Sequence, residues 1–138
     1  MGEPFAHRLR VRYAECDAQG VVFNAHYLTY FDVSITELWR AAFGSYAAMV
    51  DRGVDIVVAE AQLRFRAPAR FDQELMLEVA IARLGQTSIL SRHTIHHEQR
   101  VLVEGSLRHV LVELPALTKT EIPEWARTAL APWTVAED

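Results

Sequence analysis

The chain has 138 residues, 51% of them apolar, and a formal net charge of −4. This length fits one domain, 1–138, with enough apolar material for a core. The mild acidity, with no block of Lys or Arg, argues against nucleic acid or an anionic membrane as partner. No apolar run is long enough to span a membrane. The single cysteine, Cys16, excludes an intrachain disulfide, and the expected location is the cytoplasm.

The first residues, Met1 to Ala6, have neither an apolar signal core nor the Ser or Thr at position 6 of a myristoylation signal. His7 to Arg12 alternates Leu9 and Val11 with polar partners and reads as a short strand. A loop follows. From Tyr27 to Phe43 the apolar residues Tyr27, Phe31, Ile35, Leu38, Trp39, Ala42 and Phe43 recur at helical spacing. This predicts a long amphipathic helix that starts near Asn24 and stops at Gly44. A short helix over Tyr46 to Asp51 ends at Gly53. Ile56 to Phe65 and Glu74 to Arg83 read as strands, separated by Pro68. Leu84-Gly85-Gln86 is a turn, Thr87 to His97 a strand, Glu98-Gln99 a hairpin tip, and Arg100 to Leu114 a final long strand. Ile122 to Leu130 is a short helix with Pro123 in its first turn. Residues from Pro132 onward are expected to fray. One strand, one long helix and four strands on short turns make an α+β chain. The economical arrangement is a largely antiparallel sheet with one helix lying on it. The other sheet face and the edges then need covering, which predicts an oligomer.

The loop carries the chemistry. Asp17 is followed by Gly20, by Val21-Val22-Phe23, and by the helix start. Asp-x-x-Gly can simply cap a turn. A solvent turn has no need of Val-Val-Phe, however, and these residues are expected to draw the loop inward and partly desolvate the acid. A carboxylate beside a helix N-terminus can attack or activate water while free N–H groups stabilise charge on a substrate oxygen. Asn24 reads as a plain N-cap, as a backbone oxyanion donor, or as both. His26 is more often a surface or packing residue than a base. Cys16 reads as a small buried side chain rather than a nucleophile. His93 and His97 share a strand face with Ile95 while His96 points away; without a His-Glu-x-x-His motif or a cysteine pair, a solvated or interface face is the better reading than a metal site. Glu60 is either a second acid near the helix or a buried charge paired with Arg64 or Arg66. No phosphate loop, serine elbow or nucleotide fingerprint is present.

The run from Asp17 to Leu28 resembles the signature of the 4-hydroxybenzoyl-CoA thioesterase family. It has an Asp, a Gly three residues on, two apolar residues, an aromatic, and a Tyr ten residues after the Asp. Phe65 to Asp72 is similar to the family's strand ending in a Pro-Ala turn, and Ile122-Pro123-Glu124-Trp125 to its closing helix. The resemblance implies the hot dog fold, in which a five-stranded antiparallel sheet wraps one long helix. It implies Asp17 as the catalytic acid and the Asn24 N–H as the group that polarises the thioester carbonyl. Gly20 would let the loop close and Tyr27 would line the acyl pocket; Phe23 and His26, on the same stretch, are taken with them as candidate substrate-binding residues. Thr87 and Ser88 would meet the CoA arm. Dimers or tetramers with sites at the dimer interface are implied as well. Two departures stand out. His26 occupies a place where Asn is more usual, and Leu84-Gly85-Gln86 lacks the basic residues that some members offer to CoA phosphates.

The reading that follows is an acyl-CoA thioesterase using Asp17 as nucleophile or general base, with no metal or cofactor. An acyl-carrier-protein thioesterase and a non-catalytic acyl-CoA-binding hot dog protein are the alternatives. The presence of Asp17 weighs against the second. A dehydratase lacks its His and acid pair at the helix.

Overall fold

The computed structural model describes residues 2–135. Strand β1, Phe5–Arg10, leads into a loop and then helix α1, Asn24–Phe43. The short helix α2, Tyr46–Val50, precedes β2, Val54–Phe65; β3, Glu74–Leu84; β4, Ser88–His97; and β5, Arg100–Glu113. A two-residue strand β6, Thr118–Lys119, and helix α3, Glu124–Leu130, follow. The main strands lie in the order β1-β3-β4-β5-β2, every neighbour antiparallel, and β6 extends the far end of β5. This is the hot dog fold: a curled sheet around one long helix.

Helix α1 buries Tyr27, Tyr30, Phe31, Ile35, Leu38 and Trp39 in a single stripe. Each apolar side chain removed from water in this way contributes about 2 kcal/mol. Gly44 ends the helix with φ 87°, a conformation that costs a glycine little, and its N–H closes onto Arg40 O. The inner sheet face is read from the registers Leu77↔Ile95, Val79↔His93, Ile81↔Ser91, Ile89↔His109 and Ser91↔Leu107. All of these residues are buried. The strand period of two therefore puts both His93 and His109 into the core under α1. The expected solvated or interface face for His93 is corrected: the strand's phase is set by Ile89 and Ile95, and His93 shares their side.

The opposite face carries Glu78, Arg92, Thr94, Glu104, Ser106, Arg108, Gln62 and Glu60. Polar contacts lace it: His96 Nε2 lies 3.0 Å from Glu78, Arg66 pairs with Glu104, and Arg108 pairs with Glu60 at 3.9 Å. A face so charged tolerates water, so the expectation of an oligomer rests more on the sheet edges. Glu60 is exposed and faces Arg108, which overturns both sequence readings of it.

The last strand-and-helix segment also differs from expectation. Pro123 is the N-cap of α3 rather than a first-turn residue. Residues 132–135 are tied down: Gly2 and Glu3 donate to Thr134 O and Pro132 O at 2.9 Å, Val135 donates to Ile81 O at 3.0 Å, and Trp133 packs edge-on against Phe5. Residues 136–138 of the expected frayed tail lie outside the described residues. Among the described residues, no helix is long and apolar enough to cross a membrane.

Candidate active site

Between β1 and α1 the chain folds into a small hairpin. Phe23 N–H donates to Glu15 O at 2.9 Å, Cys16 pairs with Val22, and Asp17 N–H donates to Val21 O at 2.9 Å. The turn is Asp17-Ala18-Gln19-Gly20, closed by Gly20 N–H on Asp17 O at 3.0 Å. Gly20 has φ 78°, which a side chain would strain. The segment after β2 forms a third layer: Val22 donates to Ala69 O at 2.9 Å, Val21 pairs with Arg70, and Phe71 donates to Gly20 O at 3.2 Å. Tyr27 locks that segment to α1, since its hydroxyl accepts the Ala69 N–H at 3.0 Å.

Asp17 sits on the turn and is exposed. Its Oδ1 accepts the Gln19 N–H at 2.8 Å. Oδ2 has no hydrogen-bond partner among the described residues. The expected inward pull is thus only half right. Val22 is buried at 3% exposure, but strand alternation turns its neighbours Val21 and Phe23 outward and leaves Asp17 at the solvent edge. A cavity of about 350 Å³ opens beside it, lined by Tyr13, Cys16, Asp17, Ala18, Gly20 and Phe71.

The helix start lies at the foot of the hairpin. Phe23, not Asn24, is the N-cap, and it makes no side-chain cap. Asn24 is the first helical residue, so the N-cap reading of its side chain is corrected. The N–H of Phe23 is taken by Glu15 O and that of His26 by Phe23 O. This leaves the N–H groups of Asn24 and Ala25 without an acceptor among the described residues, at the positive end of a 20-residue helix. Phe23 is 52% exposed and lies edge-on to the half-buried His26; Tyr27 tilts against Phe65 at 5.6 Å. Gly20 closes the turn on Asp17 and lines the same cavity, and Tyr27 is near enough to feel the Asp17 charge; Phe23 stands two rungs down the hairpin, with Asn24 and His26 beyond it at the helix start and outside the cavity lining. Thr87 and Ser88 are not near Asp17. They stand at the far end of β3, which spans about 35 Å at strand rise.

The Cys16 thiol is pushed up, first by burial and then by the Glu15 and Asp17 carboxylates. It donates weakly to Arg12 O at 3.7 Å. A raised pKa is the opposite of what a nucleophilic thiolate needs. No group of His, Cys, Asp and Glu among the described residues is arranged to hold a metal ion.

Sequence reasoning passed over Glu15. It is 6% exposed and fully engaged. Arg12 gives it a backbone N–H at 2.9 Å and two guanidinium bonds at 2.9 and 2.6 Å, and Tyr30 donates its hydroxyl at 2.8 Å. Burial opposes its charge, but the bonds from Arg12 and Tyr30 outweigh it and hold the carboxyl below the ordinary range. Burial, with the hydrogen bond to Glu15, pushes the Tyr30 phenol up. The available signal was the spacing Arg12-x-x-Glu15 together with Tyr30 on the apolar stripe, where a phenol needs a partner.

A thioesterase superfamily model matches residues 19–104, with Asp17 just ahead of that stretch. The chain belongs to the thioesterase superfamily and is a hot dog thioester hydrolase. It is 28% identical over 121 residues to the acyl-CoA thioester hydrolase YbgC of Escherichia coli, covering 87% of this chain and 90% of that protein. A hypothetical protein of Thermus thermophilus superposes with a TM-score of 0.85 at 33% identity, covering 93% of this chain and 98% of that one. A 1,4-dihydroxy-2-naphthoyl-CoA thioesterase of Synechocystis shares the fold at a TM-score of 0.83 and 20% identity, over 92% and 95% of the two chains.

Proposed function

We propose that the protein is an acyl-CoA thioesterase in which Asp17 is the reacting carboxylate and the first N–H groups of α1 receive the thioester oxygen. One observation carries this reading. The Asp17 carboxylate keeps an oxygen free of partners at the edge of a cavity, on a hairpin hydrogen-bonded to a helix start that has two unsatisfied donors. The likeness to YbgC supports the acyl-CoA carrier.

The chemistry balances by either of two routes. In one, an Asp17 oxygen bonds to the carbonyl carbon, the C–S bond breaks, and CoA leaves as a thiolate that takes up a proton. Water then cleaves the mixed anhydride. In the other, Asp17 takes a proton from a water that attacks the same carbon. Both consume one water and release a free acid and a thiol. Negative charge on the former carbonyl oxygen develops where the Asn24 and Ala25 donors are fixed, so they act most strongly in the transition state. Phe23, His26 and Tyr27 flank the acyl group. Thr87 and Ser88 reach a CoA arm only when a second protomer supplies them. Strand β2 supports such a pairing. It is an edge strand of 12 residues with Val57, Val58 and Phe65 exposed.

Thiol release over a panel of aliphatic and aryl acyl-CoAs, with acyl-carrier-protein thioesters beside them, tests the reading. Turnover of at least one acyl-CoA, lost in Asp17→Asn, is expected. Turnover confined to carrier-protein thioesters would reassign the carrier. Tight binding with no release from any thioester would make this a binding protein.

A further inference from the structure

The Glu15 carboxylate stands where a Met or Leu could pack. Burying a charge is costly unless it is fully paired, and such a carboxylate is weak evidence for net stability, so what its bonds position is the question to ask. What Glu15 specifies can be traced through its bonds. Its carboxylate joins Arg12, at the end of the approach to the hairpin, to Tyr30, in the second turn of α1. Its backbone oxygen accepts the N–H of Phe23, the residue that caps α1. The same residue therefore grips the helix from the side and from its start. Two residues on, the Asp17 N–H closes the hairpin on Val21 O at 2.9 Å. The rungs Glu15–Phe23, Cys16–Val22 and Asp17–Val21 form one short ladder, so the placement of Asp17 relative to the helix N–H groups is transmitted from its base. Asp17 is itself exposed, with only the Gln19 N–H on its side chain among the described residues; the hairpin's other fastening, through Val22 and Gly20 to residues 69–71, runs along its opposite edge.

We infer that Glu15 is a positioning residue: its buried carboxylate bolts the Asp17 hairpin to α1 and so sets the distance between the reacting acid and the helix-start donors. This deepens the reading of Asp17 as the reacting carboxylate and rests on it. Tyr30 is the bolt's anchor on the helix and Arg12 its counter-charge. Neither touches the cavity, whose lining they do not join. Misplacement by a fraction of an ångström lowers the fraction of bound substrate in an attack geometry, which lowers kcat and leaves substrate binding largely intact.

The test uses Glu15→Gln and Tyr30→Phe, each alone and each combined with Asp17→Asn, with folding checked by circular dichroism and thermal unfolding. In Glu15→Gln, kcat should fall about thirtyfold while KM stays within about threefold. Tyr30→Phe, which removes one of the bonds, should fall in the same direction by about fivefold. On the Asp17→Asn background the residual activity should change by less than about twofold in either case, because a residue that acts through Asp17 has nothing left to position. A merely structural residue would lower the active fraction by the same factor on both backgrounds, and that result overturns the inference. So does unchanged kcat in the folded single variants. Should Glu15→Gln fail to fold, Tyr30→Phe decides by the same criteria. An Asp17→Asn enzyme of normal activity would overturn the Asp17 reading and this one together, while an inactive Asp17→Asn beside a fully active Glu15→Gln overturns this one alone.

Discussion

Phe31 and His93 lie face to face, ring centroids 4.5 Å apart and planes 14° from parallel, where α1 rests on β4. The imidazole is 2% exposed and shares its Nε2 with Ser91 Oγ at 2.9 Å, while Nδ1 has no partner among the described residues. His109 sits further along the same seam, edge-on to Trp39, and its Nδ1 is also unpartnered. Burial, and secondarily His109, pushes His93 down to about 3; burial alone pushes His109 down to about 4. Both rings are packed as neutral groups.

Stability should therefore fall as pH drops through the histidine range. In the unfolded chain each His takes up its proton near pH 6.5, while the native rings resist until about 3 and 4. The contribution is full above pH 6.5 and is lost progressively below it. At pH 4.5 each ring costs on the order of 2.5 kcal/mol by proton linkage. Glu15 has a lowered pKa, so its contribution is full above the ordinary carboxyl value and is lost as pH falls from there, mostly beneath this window. Urea unfolding at pH 7 and pH 4.5 should show His109→Gln losing about half of what the parent loses. Equal losses in the two proteins would mean that the seam does not govern acid stability.

Asp17→Asn should keep its fold and lose at least about a hundredfold in kcat/KM, since an amide is neither a base nor a useful nucleophile. The fold should survive because the side chain is exposed and its one hydrogen bond, to Gln19 N–H, can be made by an amide oxygen. Thiol release on the best acyl-CoA substrate, with thermal unfolding alongside, reads both halves. Near-normal turnover would remove Asp17 from the mechanism.

Most of the fold was legible because its signals are local. The 3.6 period of Tyr27 to Phe43, Gly44 as a stop, and Leu75, Leu77, Val79 and Ile81 alternating along β3 each state their own element. What escaped depends on phase and partners. Whether His93 points in or out follows from the register with Val79 and Gly105, which no single strand reveals. Asp17 and Gly20 declared a turn, but the exposure of the acid depended on how Val22 was drawn under Ala69, a contact 47 residues away in the chain. Glu15 looked like one more loop acid because its partner Tyr30 stands 15 positions on, hidden within a helical stripe that reads as plain core.

Gly105→Ala should be strongly destabilising. Gly105 pairs with His93 on one side and Leu63 on the other, with both of its neighbouring strands bonded. A Cβ there would collide with the Gln62 backbone carbonyl and lie 3.0 Å from the Phe31 ring. Backbone cannot give way as a flexible side chain would, and Phe31 is pinned against His93. A loss of about 3 kcal/mol or more is expected, read as a fall in the urea midpoint or as insoluble expression. A variant within about 0.5 kcal/mol of the parent would show that β2 and β5 can part locally at low cost.

The protein should be at least a dimer at micromolar concentration, and β2 should be its interface. The sheet's outer face is charged and stable in water, so the drive must come from the edge. There β2 offers a row of backbone N–H and C=O groups along 12 residues, and Val57, Val58 and Phe65 stand exposed beside them. An edge that long and apolar is a template for another strand, and β2 of a second copy is the self-complementary one. Light scattering should give at least twice the mass of the 15.7 kDa chain. Val58→Lys should push the equilibrium toward monomer, because a lysine on an exposed edge strand must lose water for another strand to add there. If the dimer is also what brings Thr87 and Ser88 to the Asp17 cavity, specific activity should fall with dilution through the same concentration range. A monomeric parent with full thioesterase activity would place the entire site within one chain and leave the far turn out of it.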